Sequence, residues 1–389
     1  METELQTILP TLSGIRETVK RLKETVLAHL IFIGEIPAPT FHESKRIHVF
    51  VDRLEDAGLR ECRVDDAGNG IGVIRGKNQK KNILVVAHAD TVFEEQTSHG
   101  IRVLPDIVRG PGVADNGIGM AVLLSLPGLM REAGIELEGN LILAGVCHSL
   151  GRGNLTGLRH ILSRTEWDVH AGLCVEGVQL GRLSHTCIGM RRGEIVCRIH
   201  EEYDGAGSKK GSAILTMNKV ITRINNLQLS SHPRTAIIMG SLSGGSAYNT
   251  TPKKTVLRFE IRSESEDIVA DINQKINKVV EQVADDTGDE IILDVFAERK
   301  SGEIPCTHPM VKAARTIMET LGVETQPVPS MSELSAFIDS GIPAVTLGLT
   351  RGRNIHHTDE SIEIDPVFTG IAQVIGMIQA MDRGDCEQK

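Results

Sequence analysis

The stretch Asn82-Ile-Leu-Val-Val-Ala-His-Ala-Asp90 joins a continuous apolar run to a His-x-Asp pair. An uninterrupted apolar run of this kind is typical of a strand that is buried on both faces of a parallel sheet. Residues 120–129 then predict a helix, residues 140–146 a second strand and residues 173–175 a third. Strands that alternate with helices in this way predict an α/β domain whose sheet is covered by helices on both faces.

The middle of the chain follows a different pattern. Strand-like and helix-like segments occur there in the order β-α-β-β-α-β, which is the ferredoxin-like, α+β arrangement. The segments are 194–199, 212–225, 235–240, 255–261, 265–287 and 290–296. We therefore expect a domain at 190–298 that is inserted between two parts of the α/β domain, 1–189 and 299–389.

Bulk composition restricts the function. A length of 389 residues is enough for two domains that each bury a core. The net charge of −9, with two Tyr and one Trp, argues against a nucleic-acid partner. No apolar run reaches about 18 residues, and the start of the chain is acidic, so we expect neither a membrane span nor a signal peptide. The seven Cys are scattered without a CxxC pair, which favours reduced thiols and a cytoplasmic location.

Four polar residues follow predicted strands or lie in glycine-flanked loops: His88, Asp115, Glu176 and His356. Any one of them alone is more often a helix cap or a surface residue, but the four together predict a shared metal site. In the His-x-Asp pair, the carboxylate of Asp90 can accept a hydrogen bond from the ring nitrogen of His88 that does not bind metal. Sites built from His, Asp and Glu accept Zn, Mn or Co, so the sequence leaves the identity of the metal open.

With these segments, the chain resembles the M20 family of metallopeptidases and amidohydrolases, and in particular its peptidase T-like and acetylornithine deacetylase-like branch. The resemblance extends over nearly the whole chain. Besides the metal-site segments, it includes Ile-Pro-Ala-Pro-Thr-Phe-His-Glu (36–43), Gly-Gly-Ser-Ala-Tyr-Asn-Thr-Thr-Pro (244–252) and Gly-Ile-Pro-Ala-Val-Thr-Leu-Gly (341–348). It implies a Zn-peptidase-like catalytic domain with a mixed sheet, and an inserted lid through which two copies form a homodimer.

The resemblance also implies roles for the site residues. His88, Asp115 and Glu176 would hold one divalent metal, Asp115 and His356 would belong to a second, and Asp90 would orient His88. We expect zinc, with Mn or Co as alternatives, at one or two ions per chain. A cis peptide is expected after Asp115. His357 is the alternative to His356, although the spacing to Asp359-Glu360 favours His356.

One expected piece is missing. The family has two adjacent glutamates after the third strand, the first a general base and the second a metal ligand, where this chain has Val-Cys-His-Ser-Leu-Gly (146–151). An ungapped alignment puts Ser149 at the base position and Leu150 at the ligand position, and a shift of one puts His148 and Ser149 there. Loss of a positioned base typically costs on the order of 10²–10⁴ in rate. His148 can substitute as base or simply end the strand. Cys147 is an alternative as a nucleophile or an extra ligand.

Two further segments depart from the family pattern. The lid histidine of relatives has no counterpart in Asp-Gly-Ala-Gly-Ser-Lys (204–209), and the usual Ser-Thr-Asp-Ala-Asn is Met-Ser-Glu-Leu-Ser (331–335), with Glu333 at the acidic position. Asn249 and Arg262 match lid positions that contact substrate in relatives. For Arg262 a structural ion pair is the alternative.

The sequence therefore predicts a divergent metal-dependent hydrolase that cleaves an amide or peptide bond of a small, carboxylate-bearing substrate with metal-activated water. The catalytic residues would be His148, Ser149 and Asp90, and the partners a small molecule or short peptide and a second copy of the chain. The alternatives are a catalytically inactive small-molecule binder or regulatory dimer, and a different reaction at a single metal.

Overall fold

A computed structural model of the chain describes residues 4–164, 166–199 and 212–387. The chain divides into two compact units, the first Met1–Thr186 with Glu303–Lys389 and the second Cys187–Gly302. The predicted domain boundaries, after 189 and after 298, fall close to these two division points. The segment 204–209, in which no lid histidine occurs, lies outside the described residues.

Helices and strands alternate along most of the described chain. The helices are α1 (Leu5–Ile8), α2 (Leu12–Arg21), α3 (Lys23–Gly34), α4 (Ser44–Asp56), α5 (Ile118–Glu132), α6 (Thr156–Ser163), α7 (Ala213–Asn225), α8 (Glu266–Thr287), α9 (Pro309–Thr320), α10 (Leu334–Asp339) and α11 (Asp365–Asp382). The strands are β1 (Arg60–Val64), β2 (Gly70–Ile74), β3 (Asn82–His88), β4 (Arg102–Val103), β5 (Ile107–Arg109), β6 (Asn140–Val146), β7 (Ala171–Val178), β8 (Arg182–Ser184), β9 (Thr186–Cys187), β10 (Gly189–Arg198), β11 (Thr235–Gly244), β12 (Lys254–Ser263), β13 (Glu290–Arg299), β14 (Gly302–Glu303), β15 (Gln326–Pro327), β16 (Ala344–Thr350), β17 (Gly352–Arg353) and β18 (Ser361–Glu363).

The first unit is built on an eight-stranded sheet in the order β1-β2-β6-β3-β7-β16-β8-β15. The four central strands, β6, β3, β7 and β16, run parallel. The pairs β1–β2, β2–β6 and β16–β8 are antiparallel, and β15 joins β8 in parallel. This confirms the predicted α/β class with a mixed sheet. His88 pairs with Val146, and Glu176 with Gly348, so the carboxyl ends of the parallel strands lie side by side. That edge is where open α/β sheets place their functional residues.

The central strands are buried because helices cover them. Helix α5 packs on β3, β6 and β7, and α11 packs on β16. The segment Val113–Glu132 is long and apolar enough to cross a membrane, but 89% of its most apolar window is buried inside the fold. A helix that is apolar all round and buried in this way is a core helix. The core thus fixes the loops at the carboxyl edge of the sheet.

The second unit has its own sheet and its own core. Its elements follow the order β10-α7-β11-β12-α8-β13, and the sheet order β11-β12-β10-β13 is antiparallel throughout. Alternate apolar residues of the strands, such as Ile195 and Phe259, pack with Val220 of α7 and Ile276 of α8. This is the ferredoxin-like arrangement that the strand and helix pattern predicted.

Candidate metal centre

His88 is the last residue of β3, and its ring is held at both nitrogens. Nδ1 lies 2.9 Å from the backbone oxygen of Asp90 and 3.5 Å from Asp90 Oδ1, while Nε2 lies 2.9 Å from Asp115 Oδ1. Because a backbone carbonyl only accepts, Nδ1 carries the proton and Nε2 is the nitrogen available to a metal. Burial lowers the pKa of His88, but the carboxylates of Asp115 and Asp90 outweigh it, and the pKa lies well above its ordinary value.

Asp115 lies in the turn Val113–Gly117 that precedes α5, and the predicted cis peptide is present between Asp115 and Asn116. Its Oδ1 faces His88, and its Oδ2 lies 2.7 Å from Nε2 of His356. Burial opposes the ionisation of Asp115, but the hydrogen bonds from these two rings outweigh it and hold the carboxyl pKa below its ordinary value. One carboxylate therefore joins two imidazoles that come from distant parts of the chain.

Glu176 completes a three-donor cluster. It lies near the end of β7, is 8% exposed, and its Oε1 accepts a hydrogen bond of 2.8 Å from Ser332 Oγ. Donor atoms of His88, Asp115 and Glu176 all lie within 4.8 Å of one another. Ligands of one zinc ion lie about 2.0–2.2 Å from it, and hence at most about 4.4 Å apart, so the three donors would close by at most a few tenths of an ångström to hold one ion. Burial raises the pKa of Glu176, with Arg182 and His88 acting against it.

The structure distinguishes the two neighbouring histidines. The ring of His356 reaches Oδ2 of Asp115, although its side chain is 56% exposed. His357 is exposed, and among the described contacts none joins its ring to Asp115. The geometry thus places His356, the residue favoured by spacing, at the second side of the bridging carboxylate.

Glu360 connects the segments that carry Asp115 and His356. It is fully buried, its Oε1 accepts from the backbone N–H of Ala114, and its Oε2 accepts from the N–H of His356, each at 2.9 Å. Burial raises the pKa of Glu360 to about 7, against the effect of these hydrogen bonds. From the sequence, Glu360 served only to choose between His356 and His357. Its position four residues after His356 was the one signal that it accepts hydrogen bonds from this segment.

Asp90 anchors the segment in which the glutamate pair was expected. The carboxylate is fully buried, and its Oδ2 accepts hydrogen bonds of 2.8 Å from Thr40 Oγ1 and from the backbone N–H of Leu150. Burial raises the pKa of Asp90, but the His88 ring and these donors outweigh it, and the pKa lies below its ordinary value. Leu150 is thus fixed beside the His-x-Asp pair, where its side chain offers no metal ligand.

His148 has an unusual backbone and a buried acidic partner. Its φ is +60°, a left-handed conformation that side chains other than glycine rarely adopt. Its N–H donates to Glu43 Oε1 at 2.9 Å, its Nε2 lies 3.7 Å from Glu43 Oε2, and its ring centroid is 4.9 Å from that of Phe41. Burial raises the pKa of Glu43, which is 2% exposed. Sequence reasoning missed Glu43, although it ends the segment 36–43 that carries the family resemblance.

The two neighbours of His148 differ in chemistry. Cys147 is buried, and its thiol donates to the backbone oxygen of Gly68 at 3.0 Å. Burial raises its pKa far above the ordinary value, which disfavours the thiolate that a nucleophile or metal ligand requires. Ser149 is buried, at 3% exposure, in the same segment. Cys147 is therefore a poor candidate for either role.

The predicted substrate residues belong to the second unit. Asn249 is exposed, and Arg262 donates from Nε to Glu260, which also accepts a hydrogen bond of 2.7 Å from Arg192 Nε. Burial raises the pKa of Glu260, but the two guanidinium groups outweigh it and the pKa is lowered. Arg262 thus takes part in a structural ion pair, the alternative that its sequence position left open. The substrate role of Asn249 and Arg262 stays a prediction.

Residues 84–380, more than half of the chain, match the sequence model of peptidase family M20/M25/M40. The chain belongs to this family. Carboxypeptidase G2 of Pseudomonas sp. (strain RS-16) is 36% identical over 101 residues, and this match spans 25% of the chain and 23% of that enzyme.

Solved structures of M20 peptidases share the fold over nearly the whole chain. Aminopeptidase PepT from Bacillus cereus gives a TM-score of 0.69 at 19% identity, covering 92% of this chain and 98% of that one. The di-peptidase Dug1p from Saccharomyces cerevisiae gives 0.81 at 12% identity, covering 96% and 98%. At such identities the likeness establishes the M20 fold and leaves the substrate open.

Proposed function

We propose that this M20 protein is a divalent-metal-dependent hydrolase that cleaves an amide or peptide bond of a small, carboxylate-bearing substrate. The convergence of His88, Asp115 and Glu176 within 4.8 Å is the observation that carries the proposal. These residues come from three separate segments, two of which are strands of the sheet, and His356 from a fourth lies on the far oxygen of Asp115.

The donor set fits a divalent cation. One imidazole whose Nε2 faces the cluster, together with two carboxylates, is a three-ligand set that leaves a position open for substrate or water. We propose zinc, with Mn or Co as alternatives, held by His88, Asp115 and Glu176. A second ion would have only Asp115 and His356, so we propose one tightly bound ion per chain. When bound, such an ion polarises a carbonyl oxygen and makes water more acidic.

The residues around the donors hold them in place. The backbone oxygen of Asp90 fixes the tautomer of His88 at Nδ1, and the carboxylate of Asp90 lies 3.5 Å from the same nitrogen, which favours ligation through Nε2. Ser332 holds one oxygen of Glu176 and thereby restricts the rotation of that side chain. Preorganised donors of this kind lose little entropy when an ion binds.

For the base we propose His148, with Glu43 as the residue that positions it. Imidazole is suited to move a proton near neutral pH. His148 would accept the proton of the attacking water and deliver it to the departing nitrogen. Its left-handed φ supports this role, because strained backbone tends to persist where a side chain is needed for function. Ser149, next to it, is the alternative that the register of the alignment leaves open.

A second candidate function is a non-catalytic binder or regulatory dimer. It is favoured by Leu150, an apolar residue whose backbone is fixed on Asp90 beside the metal centre. Turnover that is abolished by a chelator would exclude this alternative. Absence of turnover across a broad panel, with metal binding intact, would favour it.

We also propose the assembly and the location. The edge strand β11 exposes Ile238 and Leu242, and an open apolar edge is suited to pair with a second copy of the chain. Asn249 and Arg262 would bind oxygens of the substrate, including its carboxylate. The seven cysteines are all free thiols, which supports the cytoplasm or another reducing compartment.

The test begins with metal content. Purified protein is stripped with a chelator, reloaded with Zn, Mn or Co, and assayed on dipeptides and N-acyl amino acids. We expect one ion per chain and metal-dependent turnover, both lost in His88→Ala. Two double variants test which residues replace the glutamate pair of the family. Ser149→Glu with Leu150→Glu should raise metal occupancy toward two ions per chain if the ungapped alignment is right. His148→Glu with Ser149→Glu should do so if the alignment is shifted by one residue. A protein that binds no divalent ion, and that His88→Ala leaves unchanged, contradicts the proposal.

A further inference from the structure

Glu333 is a buried carboxylate, and one of its two oxygens has no hydrogen-bonding partner among the described residues. It lies immediately before α10 and is 2% exposed, and its Oε1 is buried and makes no hydrogen bond to any described residue. It does not cap the helix, because its side chain accepts nothing from the first turn of α10. Local secondary structure therefore gives no reason for an acidic side chain at this position.

Its surroundings connect it to the metal centre. Burial is the strongest influence on the pKa of both His88 and Glu176, and the negative charge of Glu333 adds an upward influence on each. The preceding residue, Ser332, donates to Oε1 of Glu176 at 2.8 Å. Glu333 therefore acts on two of the three donor residues, and its segment touches one of them.

A buried carboxylate with nothing to neutralise it is unfavourable. Removing such a group from water costs several kcal/mol unless a hydrogen bond, an opposite charge or a metal compensates. Asp90 and Asp115 have such compensation from hydrogen-bond donors and imidazoles. Oε1 of Glu333 has no hydrogen-bond donor among the described residues. A divalent cation in the neighbouring cluster would supply the missing positive charge.

We propose that Glu333 is a further carboxylate of the metal centre, which stabilises the cation held by His88, Asp115 and Glu176. It lies outside the three-donor group, so it acts by its charge across the site rather than as a direct ligand. In a chain with no carboxylate at residues 146–151, this side chain supplies negative charge from a different segment. The inference rests on the metal centre of the proposed function, and its test separates the two.

The test is Glu333→Gln, which keeps the shape and removes the charge. We expect the dissociation constant for zinc to rise about 10–100-fold, the usual cost of losing a residue just outside the ligands. The same substitution should stabilise the metal-free protein, whose Tm should rise by about 2–4 °C because an uncompensated buried charge is gone. A residue with a merely structural role would not give these opposite changes.

The matched control is Asp382→Asn. Asp382 is also buried, at 7% exposure, but its oxygens accept from the N–H groups of Glu138 and Gly139, which immediately precede β6. This variant should lower the Tm and leave zinc affinity unchanged. Glu333→Asp keeps the charge, so its zinc affinity should stay within about threefold of wild type, well inside the 10–100-fold loss expected without the charge.

The outcomes are distinguishable. Wild-type protein that binds zinc while Glu333→Gln binds it equally well overturns the role of Glu333 alone. A lower Tm of metal-free Glu333→Gln also overturns it, because the carboxylate would then be stabilising without a cation. If Glu333→Gln does not fold, Glu333→Asp with a tenfold weaker affinity overturns the argument from charge. Wild-type protein that binds no divalent ion overturns both this inference and the proposed function.

Discussion

Replacing Asp90 by Asn should weaken the metal centre without breaking the loop that Asp90 anchors. In the native site, Oδ2 of Asp90 accepts from Thr40 Oγ1 and from the N–H of Leu150, each at 2.8 Å. Oδ1 lies 3.5 Å from Nδ1 of His88. An Asn side chain can keep its oxygen at the Oδ2 position, and its amide group must then face the Nδ1–H of His88.

The magnitude follows from that mismatch. The ring N–H of His88 keeps its bond to the backbone oxygen of residue 90, so the new amide group would have no acceptor there, and leaving a buried donor unpaired costs about 1–3 kcal/mol. The carboxylate that raises the basicity of a metal-binding imidazole is also lost, which typically weakens metal binding about 10–100-fold. At about 1.4 kcal/mol for each factor of ten, this corresponds to about 1.4–2.8 kcal/mol of binding free energy.

The effect on stability should depend on pH with a definite sign. Burial raises the pKa of Asp90, but the His88 ring and the hydrogen-bond donors lower it further, so the folded-state pKa lies below the ordinary 3.8. The ionised carboxylate therefore contributes stability above pH 3.8, and this contribution is lost as the pH falls through the folded-state pKa. Metal-free Asp90→Asn should be less stable than wild type near neutral pH, and the difference should narrow on acidification.

The assay is zinc affinity by competition with a chromogenic chelator, together with urea unfolding of the metal-free protein over a range of pH. Asp106→Asn is the control, because Asp106 is exposed and surface substitutions usually change stability by less than about 0.5 kcal/mol. Zinc affinity of Asp90→Asn within twofold of wild type would refute the role assigned to this carboxylate.

Three further predictions concern the same centre. His356→Ala should weaken zinc binding about 10–100-fold in a competition titration, because it removes the hydrogen bond to the ligand Asp115, whereas His357→Ala should behave as wild type. Equal effects of the two variants would contradict the placement of His356 on Asp115. His148→Ala should lower turnover about 10²–10⁴-fold with metal affinity unchanged, and added imidazole should restore part of the lost turnover. Glu43→Gln should lower turnover less than His148→Ala does. Wild-type turnover of His148→Ala would exclude His148 as the base. Glu360→Ala leaves two backbone N–H groups unpaired, so the free energy of unfolding should fall by about 2–6 kcal/mol in urea titrations, and no change would show that these hydrogen bonds are dispensable.

The strand-end residues of the site could be predicted from sequence because parallel strands align their carboxyl ends. The apolar run before His88 identifies β3, and Glu176 follows a similar run, so both were expected at one edge of the sheet. His356 could be chosen over His357 by spacing alone. The ferredoxin-like order of the second unit could also be predicted, since the apolar residues of each segment are spaced as in a strand or as in a helix.

The residues that support the site were harder to predict because their contacts are distant in sequence. Glu43 meets His148 across 105 positions and Glu360 meets Ala114 across 246. No local period or motif indicates such pairs. Strands β1 and β2 were also missed. β1 reads Arg-Glu-Cys-Arg-Val and shows no apolar run, while β2, Gly-Ile-Gly-Val-Ile, is short and broken by glycine.

The most direct test of the central claim is a crystal structure of the protein grown with zinc, with anomalous scattering recorded above and below the zinc absorption edge. We expect an anomalous peak about 2.0–2.2 Å from Nε2 of His88 and from carboxylate oxygens of Asp115 and Glu176. Zinc bound elsewhere on the chain, with no peak among these three side chains, would contradict it.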